Sequence, residues 1–276
     1  MVVTASLAAS ARVHQTRVLD RTPLADGVVL LGLLAPEIAK ASVPGQFAMA
    51  IPPRGESAAV ALGIYEAAGD RLSLLFFVIG NRTAQLSNLR PGDELAVTGP
   101  LGNGFFLDDA PGDVAIVAGG VGIASVLLPA QRLIRDGKRV RLYYGARSRD
   151  LLVEAQRFAD EGCEVELATD DGSAGRRGYV TQLLAESKHK PGLILACGPS
   201  PMLRATAAVA RELGVRAQLS LEETFACGLG GCWGCTVPLS RESAQAPGFP
   251  AISGTDAVNA RVCKEGPVFW AHELRW

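Results

Sequence analysis

Four cysteines near the end of this 276-residue chain have a spacing that could bind iron. Three of them form a C-x4-C-x2-C segment, and the fourth follows at a distance. The same spacing occurs in plant-type [2Fe–2S] sites, where four thiolates hold two irons. We therefore predict a [2Fe–2S] cluster in the last fifth of the chain. Its ligands would be Cys227, Cys232, Cys235 and Cys263.

Zinc and disulfide bonds are the alternatives for these cysteines. Zinc also takes four thiolates, but structural zinc sites usually pair two short C-x2–4-C segments, and here the second half supplies one cysteine. In a reducing compartment a clustered set of cysteines indicates metal more than disulfides. Glycines 228, 230, 231 and 234 would let the loop wrap closely around the sulfurs. The spacing and the glycines favour iron and sulfide.

A second glycine-rich segment could bind a nucleotide. Gly119, Gly120 and Gly122 follow an apolar strand and precede a predicted helix, where a pyrophosphate can approach free N–H groups. The spacing differs from G-x-G-x-x-G, so an ordinary strand–helix turn is the alternative. Cys197, Gly198 and Pro199 come just after another apolar strand, at the edge of the sheet where ligands bind in such folds. Cys197 could lie near a nicotinamide or serve as a small buried apolar group.

Hydrophobic patterning divides the chain into three parts. Up to about residue 109, short apolar or alternating runs separated by turn residues predict an antiparallel β-barrel. From residue 113, strands and helices alternate, which predicts a doubly wound parallel α/β sheet. The predicted domains are a barrel over residues 1–110, a nucleotide-binding domain over 111–218 and a small cysteine lobe over 219–276.

Composition excludes several classes of partner. The 27 basic and 28 acidic residues nearly balance, so electrostatic binding to nucleic acid or to an anionic membrane has little support. The longest uncharged run, residues 114–130, is too short for a bilayer span and contains three glycines and a proline. The first residues lack a basic segment followed by a sustained apolar stretch, so we expect no secretory signal. A cytoplasmic location is the expectation.

The motifs together resemble the ferredoxin reductase-like family and, within it, the electron-transfer subunits of heteromeric dihydroorotate dehydrogenases. The resemblance covers nearly the whole chain, and the last of its motifs is specific to these subunits. The matching segments are 45–47 (GQF), 99–105 (GPLGNGF), 119–123 (GGVGI), 169–173 (TDDGS), 197–199 (CGP), 227–235 (CGLGGCWGC) and 261–269 (RVCKEGPVF).

The resemblance implies three cofactors and a partner. FAD would bind the barrel, NAD the sheet and the [2Fe–2S] cluster the C-terminal lobe. Electrons from NADH would pass to the FMN of a dihydroorotate dehydrogenase catalytic subunit, in a hetero-oligomer (a heterotetramer) serving pyrimidine biosynthesis. The implied flavin contacts are Val60, Ala61, Leu62, Gly63, Leu75, Phe76, Phe77, Arg82 and Thr83, and the implied NAD contacts are Gly119, Gly120, Gly122, Cys197, Gly198 and Pro199.

The chain departs from the family at the flavin segment. Arg-Pro-x-Ser in the family corresponds to residues 60–63 (VALG) here, so a charge and a hydroxyl are missing. The family's Gly-Thr pair is Arg82-Thr83 here, and Arg82 could restore the charge from the other side of the pyrophosphate. Ala124-Ser125 stands where a proline usually follows the glycines.

Three alternatives stay open. Because of the altered flavin segment, the chain could be a structural subunit with a cluster and no flavin, and the sequence also allows the reductase subunit of another redox complex. Arg147 and Arg149 could favour NADP, although the resemblance implies NAD.

Overall fold

The first third of the chain folds into a closed antiparallel barrel. In the computed structural model, which describes residues 12–53, 58–240 and 258–276, six strands close in the order β1-β2-β5-β4-β3-β6. Alternate side chains such as Leu31, Ile64 and Leu74 fill the interior and are fully buried. The strands are β1 (Val13–Ala25), β2 (Val28–Leu34), β3 (Phe47–Ile51), β4 (Val60–Ala68), β5 (Arg71–Phe77) and β6 (Glu94–Leu101), with helices α1 (Pro36–Ala41) and α2 (Asn81–Ser87) between them.

The second part is a sheet with strand order β10-β9-β8-β7-β11-β12-β15, parallel except at β15. The central strands are continuous apolar runs because helices cover both faces. Its strands are β7 (Asp113–Gly119), β8 (Arg139–Ala146), β9 (Glu164–Thr169), β10 (Arg176–Arg177), β11 (Leu193–Cys197), β12 (Arg216–Ser220) and β15 (Val268–Trp270). Its helices are α3 (Leu127–Arg135), α4 (Ala155–Asp160), α5 (Val180–Glu186) and α6 (Ser200–Leu213), with 3-10 turns at Gly120–Ser125 and Arg149–Leu151.

The C-terminal lobe is attached to both larger parts. Strands β13 (Thr236–Leu239) and β14 (Val258–Arg261) form a small antiparallel pair, and β15 extends the sheet by pairing with β12. On the barrel side, the Gly102 backbone lies so close to the lobe that a Cβ there would be 2.6 Å from Pro267. The cysteine loop is therefore held against the barrel and the sheet.

Polar contacts fix the barrel to the sheet. The Tyr65 hydroxyl donates to Glu154 Oε2 at 2.6 Å, and burial raises the pKa of Tyr65, so the phenol keeps its proton. Close by, Arg157 Nη2 lies 2.8 Å from Glu66 Oε1. Both contacts join β4 to the segment around α4, which sets the barrel face of β4 against the nucleotide-binding part.

The predicted fold class is confirmed, with differences of detail. The helix predicted after the glycines of residues 119–122 is a 3-10 turn over Gly120–Ser125 followed by α3. Strand β12 crosses the predicted 218/219 limit, and the domain limits stay a prediction. Within the described part of the chain, no helix is both long and apolar enough to cross a membrane.

Candidate cofactor sites

The four predicted cluster ligands form two pairs. The Cys227 and Cys232 side chains lie close together, the Cys263 N–H donates to Cys235 Sγ at 3.5 Å, and Cys263 is near enough to Cys227 to interact with its charge. Among the residues that the structure describes, no three His, Cys, Asp or Glu side chains surround the position of one metal ion. Two adjacent thiol pairs fit two irons better than one zinc, which needs four thiolates around a single point.

Backbone N–H groups favour the thiolate at Cys227. Partial burial opposes its ionisation, but N–H groups of Leu229, Cys232 and Gly231 lower the pKa of Cys227 to about 6. The Leu229 N–H donates to Cys227 Sγ at 3.4 Å, and the Gly234 N–H to Cys232 Sγ at 3.5 Å. Thiolate is the form that ligates metal, so this half of the site suits iron binding.

The second pair is the buried half of the site. Cys235 and Cys263 are each 3% exposed, whereas Cys232 is exposed to solvent. Burial and the neighbouring Cys235 raise the pKa of Cys263 to about 12. Burial thus disfavours the Cys263 thiolate, and a bound cation removes that cost by neutralising its charge. The donor set therefore fits a cluster with one exposed and one buried iron.

The Arg261 side chain contacts three residues in or beside the cluster loop. Its Nη1 donates to the Gly230 carbonyl at 2.7 Å, and its guanidinium lies 4.5 Å from the centre of the Trp233 ring. Glu265 pairs with it, and both side chains are 13% exposed. Trp233 has φ +59°, a left-handed backbone conformation that residues other than glycine rarely adopt. The stacking contact with Arg261 stabilises Trp233 in this conformation.

The cluster loop rests on the barrel next to the predicted flavin strand. Gly228 has φ +68°, and a Cβ there would lie 2.6 Å from Met49 Cγ on β3. Met49 is the register partner of Ala61 on β4. The loop that carries Cys227 is thus one strand away from the segment expected to bind flavin.

The predicted NAD residues lie together at the carboxyl ends of β7 and β11. A Cβ on Gly122 would lie 2.2 Å from the Cys197 carbonyl oxygen, and one on Gly198 would lie 3.0 Å from the Gly119 nitrogen. Gly120, with φ +53°, faces open space. Pro199 directly precedes α6. The four glycines let two strand ends meet closely and leave room beside Gly120, which fits a bound pyrophosphate.

Cys197 belongs to a polar group that sequence reasoning did not find. Its thiol contacts Glu222 Oε1 at 3.7 Å, and the side chains of Ser125 and Ser220 lie beside it. Glu222 is solvent-exposed, yet desolvation by surrounding protein raises its pKa. Ser125 meets Gly63 on β4, so this polar group lies where the sheet meets the barrel.

On β4 the predicted flavin contacts point two ways. Val60 and Leu62 pack into the barrel core, while Ala61 packs towards the cysteine lobe and Gly63 faces Ser125. On β5 the Phe76 side chain also fills the barrel, so it could meet a flavin only through its backbone. Leu75 and Phe77 face the sheet instead.

Arg82 and Thr83 lie beside the start of β4. The exposed Arg82 side chain donates from Nη1 to the Ala59 carbonyl at 3.3 Å, next to Val60. The buried Thr83 hydroxyl accepts from the Ile79 and Gly80 N–H groups and shapes the turn into α2. A guanidinium therefore stands at the β4 end where the family's arginine is missing, which fits an anionic cofactor.

The fold and these sites define a flavin- and nicotinamide-dependent reductase with an iron–sulfur lobe. The oxidoreductase NAD-binding domain family matches residues 116–208. A solved structure from work on flavin-based electron bifurcation by an NADH-dependent reduced ferredoxin-NADP oxidoreductase superimposes with a TM-score of 0.82. It is 28% identical, over 95% of this chain and 90% of that one. A ferredoxin reductase of carbazole 1,9a-dioxygenase shares the fold, with a TM-score of 0.63 over 74% of this chain and 66% of that one, at 23% identity.

Curated relatives narrow this class. The dihydroorotate dehydrogenase B (NAD(+)) electron transfer subunit of Desulforamulus reducens is 34% identical over 96% of this chain and 99% of its own length. The subunit of the same name from Listeria monocytogenes is 33% identical over 95% of this chain and 98% of its own. That from Caldanaerobacter subterraneus is 37% identical over 74% of this chain and 76% of its own. The chain belongs to the family of dihydroorotate dehydrogenase B electron transfer subunits, as its motifs predicted.

Proposed function

We propose that this chain is the electron-transfer subunit of a dihydroorotate dehydrogenase. It takes electrons from NADH and passes them through FAD and a [2Fe–2S] cluster to the FMN of a catalytic subunit in a hetero-oligomer. One observation carries the proposal: the paired cysteines, the β4 segment and the glycines of β7 and β11 border one region of the molecule. Gly228 touches β3 on one side of β4, and Ser125 touches Gly63 on the other.

Each group of residues has a separate task in this scheme. Bound FAD would supply the ability to accept an electron pair and release single electrons. Gly120 and Gly122 let the nicotinamide cofactor approach the sheet edge, and Arg82 neutralises the flavin pyrophosphate. The pairs Cys227/Cys232 and Cys235/Cys263 hold one iron each, the first near solvent, where a partner could receive electrons.

NAD fits the sheet edge better than NADP. The Nη2 and Nε of Arg149 donate to the Ser173 carbonyl at 2.7 and 3.0 Å, and its backbone N–H donates to the Ser173 hydroxyl at 2.8 Å. A guanidinium held by its own loop is less available for a 2′-phosphate. NADH is therefore the proposed electron donor. The cytoplasmic location stays a prediction.

The experiment is anaerobic purification followed by reduction with NADH. We expect acid extraction to release FAD, NADH to bleach the flavin band, and an EPR signal of a reduced [2Fe–2S] cluster to appear. Addition of an FMN-containing dihydroorotate dehydrogenase catalytic subunit should then give NADH-dependent reduction of orotate to dihydroorotate. A cluster without flavin would contradict the proposal in favour of the structural alternative.

A second function has support from one comparison. The solved structure at 28% identity comes from a different complex, a ferredoxin-NADP oxidoreductase. A reductase subunit of another redox complex would show the same cofactors and the same NADH reduction. Affinity purification under reducing conditions separates the two functions. If the chain serves another redox complex, the co-purifying partner should contain no FMN and should not oxidise dihydroorotate.

A further inference from the structure

Gly63 and Ser125 share one position at the junction of the barrel and the sheet. A Cβ built on Gly63 would lie 2.5 Å from Ser125 Oγ, which is closer than real Cβ atoms approach a neighbour. The Ser125 hydroxyl therefore occupies the space that any side chain at residue 63 would need. Both residues are half-buried, so the position is partly accessible from solvent.

The hydroxyl lies between the two nucleotide sites. Gly63 is on β4, the strand expected to bind flavin, and Ser125 ends the 3-10 turn that follows the glycines of β7. Ser125 lies beside Cys197 at the end of β11, and the Cys197 thiol contacts Glu222 Oε1 at 3.7 Å. A flavin ring on the barrel and a nicotinamide on the sheet can exchange a hydride only where these surfaces meet.

We propose that Ser125 is a flavin-binding residue whose hydroxyl hydrogen-bonds the edge of the FAD ring that faces the nicotinamide. The inference rests on the proposed function in one respect, namely that the chain binds FAD. The β4 segment itself supplies no hydroxyl, because residues 60–63 are Val, Ala, Leu and Gly. Ser125 supplies one from the sheet side, and the glycine at 63 is required to leave room for it.

We expect the space between β4 and the 3-10 turn to hold a hydroxyl from residue 63 or from residue 125, but not both. Gly63→Ser alone places a second side chain against Ser125 Oγ and forces one of them to turn away. Ser125→Ala alone removes the hydroxyl. The double variant Gly63→Ser/Ser125→Ala carries a single hydroxyl in the same space, attached to β4 instead of the 3-10 turn. A double-mutant cycle therefore isolates the contact.

The test is FAD titration of the cofactor-stripped chain, followed by flavin fluorescence and the visible spectrum of the bound flavin. Loss of one hydrogen bond should raise the Kd of Ser125→Ala about fivefold and shift its flavin absorption band. Gly63→Ser should bind at least as weakly, and the double variant should return to within about twofold of the wild type. Ser42→Ala removes a serine hydroxyl bonded to the Ile38 carbonyl in the barrel and should leave the Kd unchanged.

Two results would overturn the assignment. An unchanged Kd and spectrum in Ser125→Ala would show that the hydroxyl does not meet the flavin. A double variant as weak as Gly63→Ser would show that position 63 disturbs the site for another reason. Wild-type protein that binds no FAD would instead overturn the proposed function, so the two failures are distinguishable. Thermal unfolding of each variant without FAD checks that the chain is folded.

Discussion

Asn103 and Val268 exchange two hydrogen bonds. Asn103 Nδ2 donates to the Val268 carbonyl at 2.8 Å, and the Val268 N–H donates to Asn103 Oδ1 at 2.9 Å. Asn103 follows β6 of the barrel, and Val268 begins β15 of the sheet. One side-chain amide thus imitates a backbone strand partner and ties the barrel to the segment that follows Cys263.

Asn103→Ala should destabilise the chain. It leaves the Val268 N–H and the Val268 and Glu265 carbonyls without this partner in a poorly hydrated place. The free energy of unfolding should fall by about 3 kcal/mol, measured by urea unfolding. Asn88→Ala, an exposed asparagine of the barrel, is the control and should stay within about 0.5 kcal/mol of the wild type. A similar loss in both variants would contradict the role of the amide.

Arg261→Ala should loosen the cluster loop. The guanidinium is bonded to Gly230, stacked on Trp233 and paired with Glu265, and removing one partner of a nearly buried pair leaves a charge uncompensated. We expect a chelator to remove iron at least about tenfold faster, and Arg261→Lys to fall between, since an ammonium cannot make all three contacts. Arg204→Ala removes a guanidinium stacked on Trp276, far along the chain, and serves as control. Equal rates in all three variants would refute this account.

Arg82→Ala should weaken FAD binding. A charge-assisted hydrogen bond to the pyrophosphate is worth about 1.5–3 kcal/mol, so the Kd should rise roughly 10- to 100-fold. Arg82→Lys should keep part of the affinity and show a stronger dependence on salt. Arg90→Ala, another exposed arginine of the barrel, should bind FAD normally. Unaltered FAD affinity in Arg82→Ala would show that Arg82 does not replace the arginine that the family has at residue 60.

Glu222 should make stability depend on pH. Desolvation raises its pKa in the folded chain above the ordinary value of 4.5, so the unfolded chain loses this proton first as pH rises. The free energy of unfolding therefore falls from the ordinary pKa up to the raised one. Melting temperatures of the cofactor-free chain between about pH 5 and pH 8 should decline less in Glu222→Gln than in the wild type. Glu223→Gln, the neighbouring exposed carboxyl, should follow the wild type. Parallel curves for all three would rule out desolvation of the Glu222 carboxyl in the folded chain.

Much of the fold could be predicted from the hydrophobic patterns of its strands and helices. The apolar runs of β7, β8 and β11 and the helices between them are recognisable from composition alone. Strand β1 cannot be recognised from the pattern, because most of its side chains are exposed and charged residues such as Arg17 and Asp20 interrupt the alternation. Strand β15 cannot be recognised either, because its three residues, Val268–Trp270, form a strand only by pairing with β12.

Spacing likewise predicted the metal chemistry but not its arrangement. The C-x4-C-x2-C segment indicates four thiolates, whereas the division into Cys227/Cys232 and Cys235/Cys263 depends on how β14 returns to the loop. Ser125 and Glu222 could not be identified as site residues because their contacts, with Gly63 and Cys197, join distant segments. The signal in the sequence was the unusual pair itself: a glycine where the family has serine, and a serine where it has proline.

The most direct measurement counts iron and sulfide in the anaerobically prepared wild type and in Cys263→Ser, together with the EPR spectrum of the reduced protein. Cys163→Ser is the matched control. Cys163 is not one of the four predicted ligands, and burial raises the pKa of its thiol to about 12. The account predicts about two irons per chain in the wild type and control, and loss of iron, colour and signal in Cys263→Ser. Full iron content and an unaltered spectrum in Cys263→Ser would contradict it.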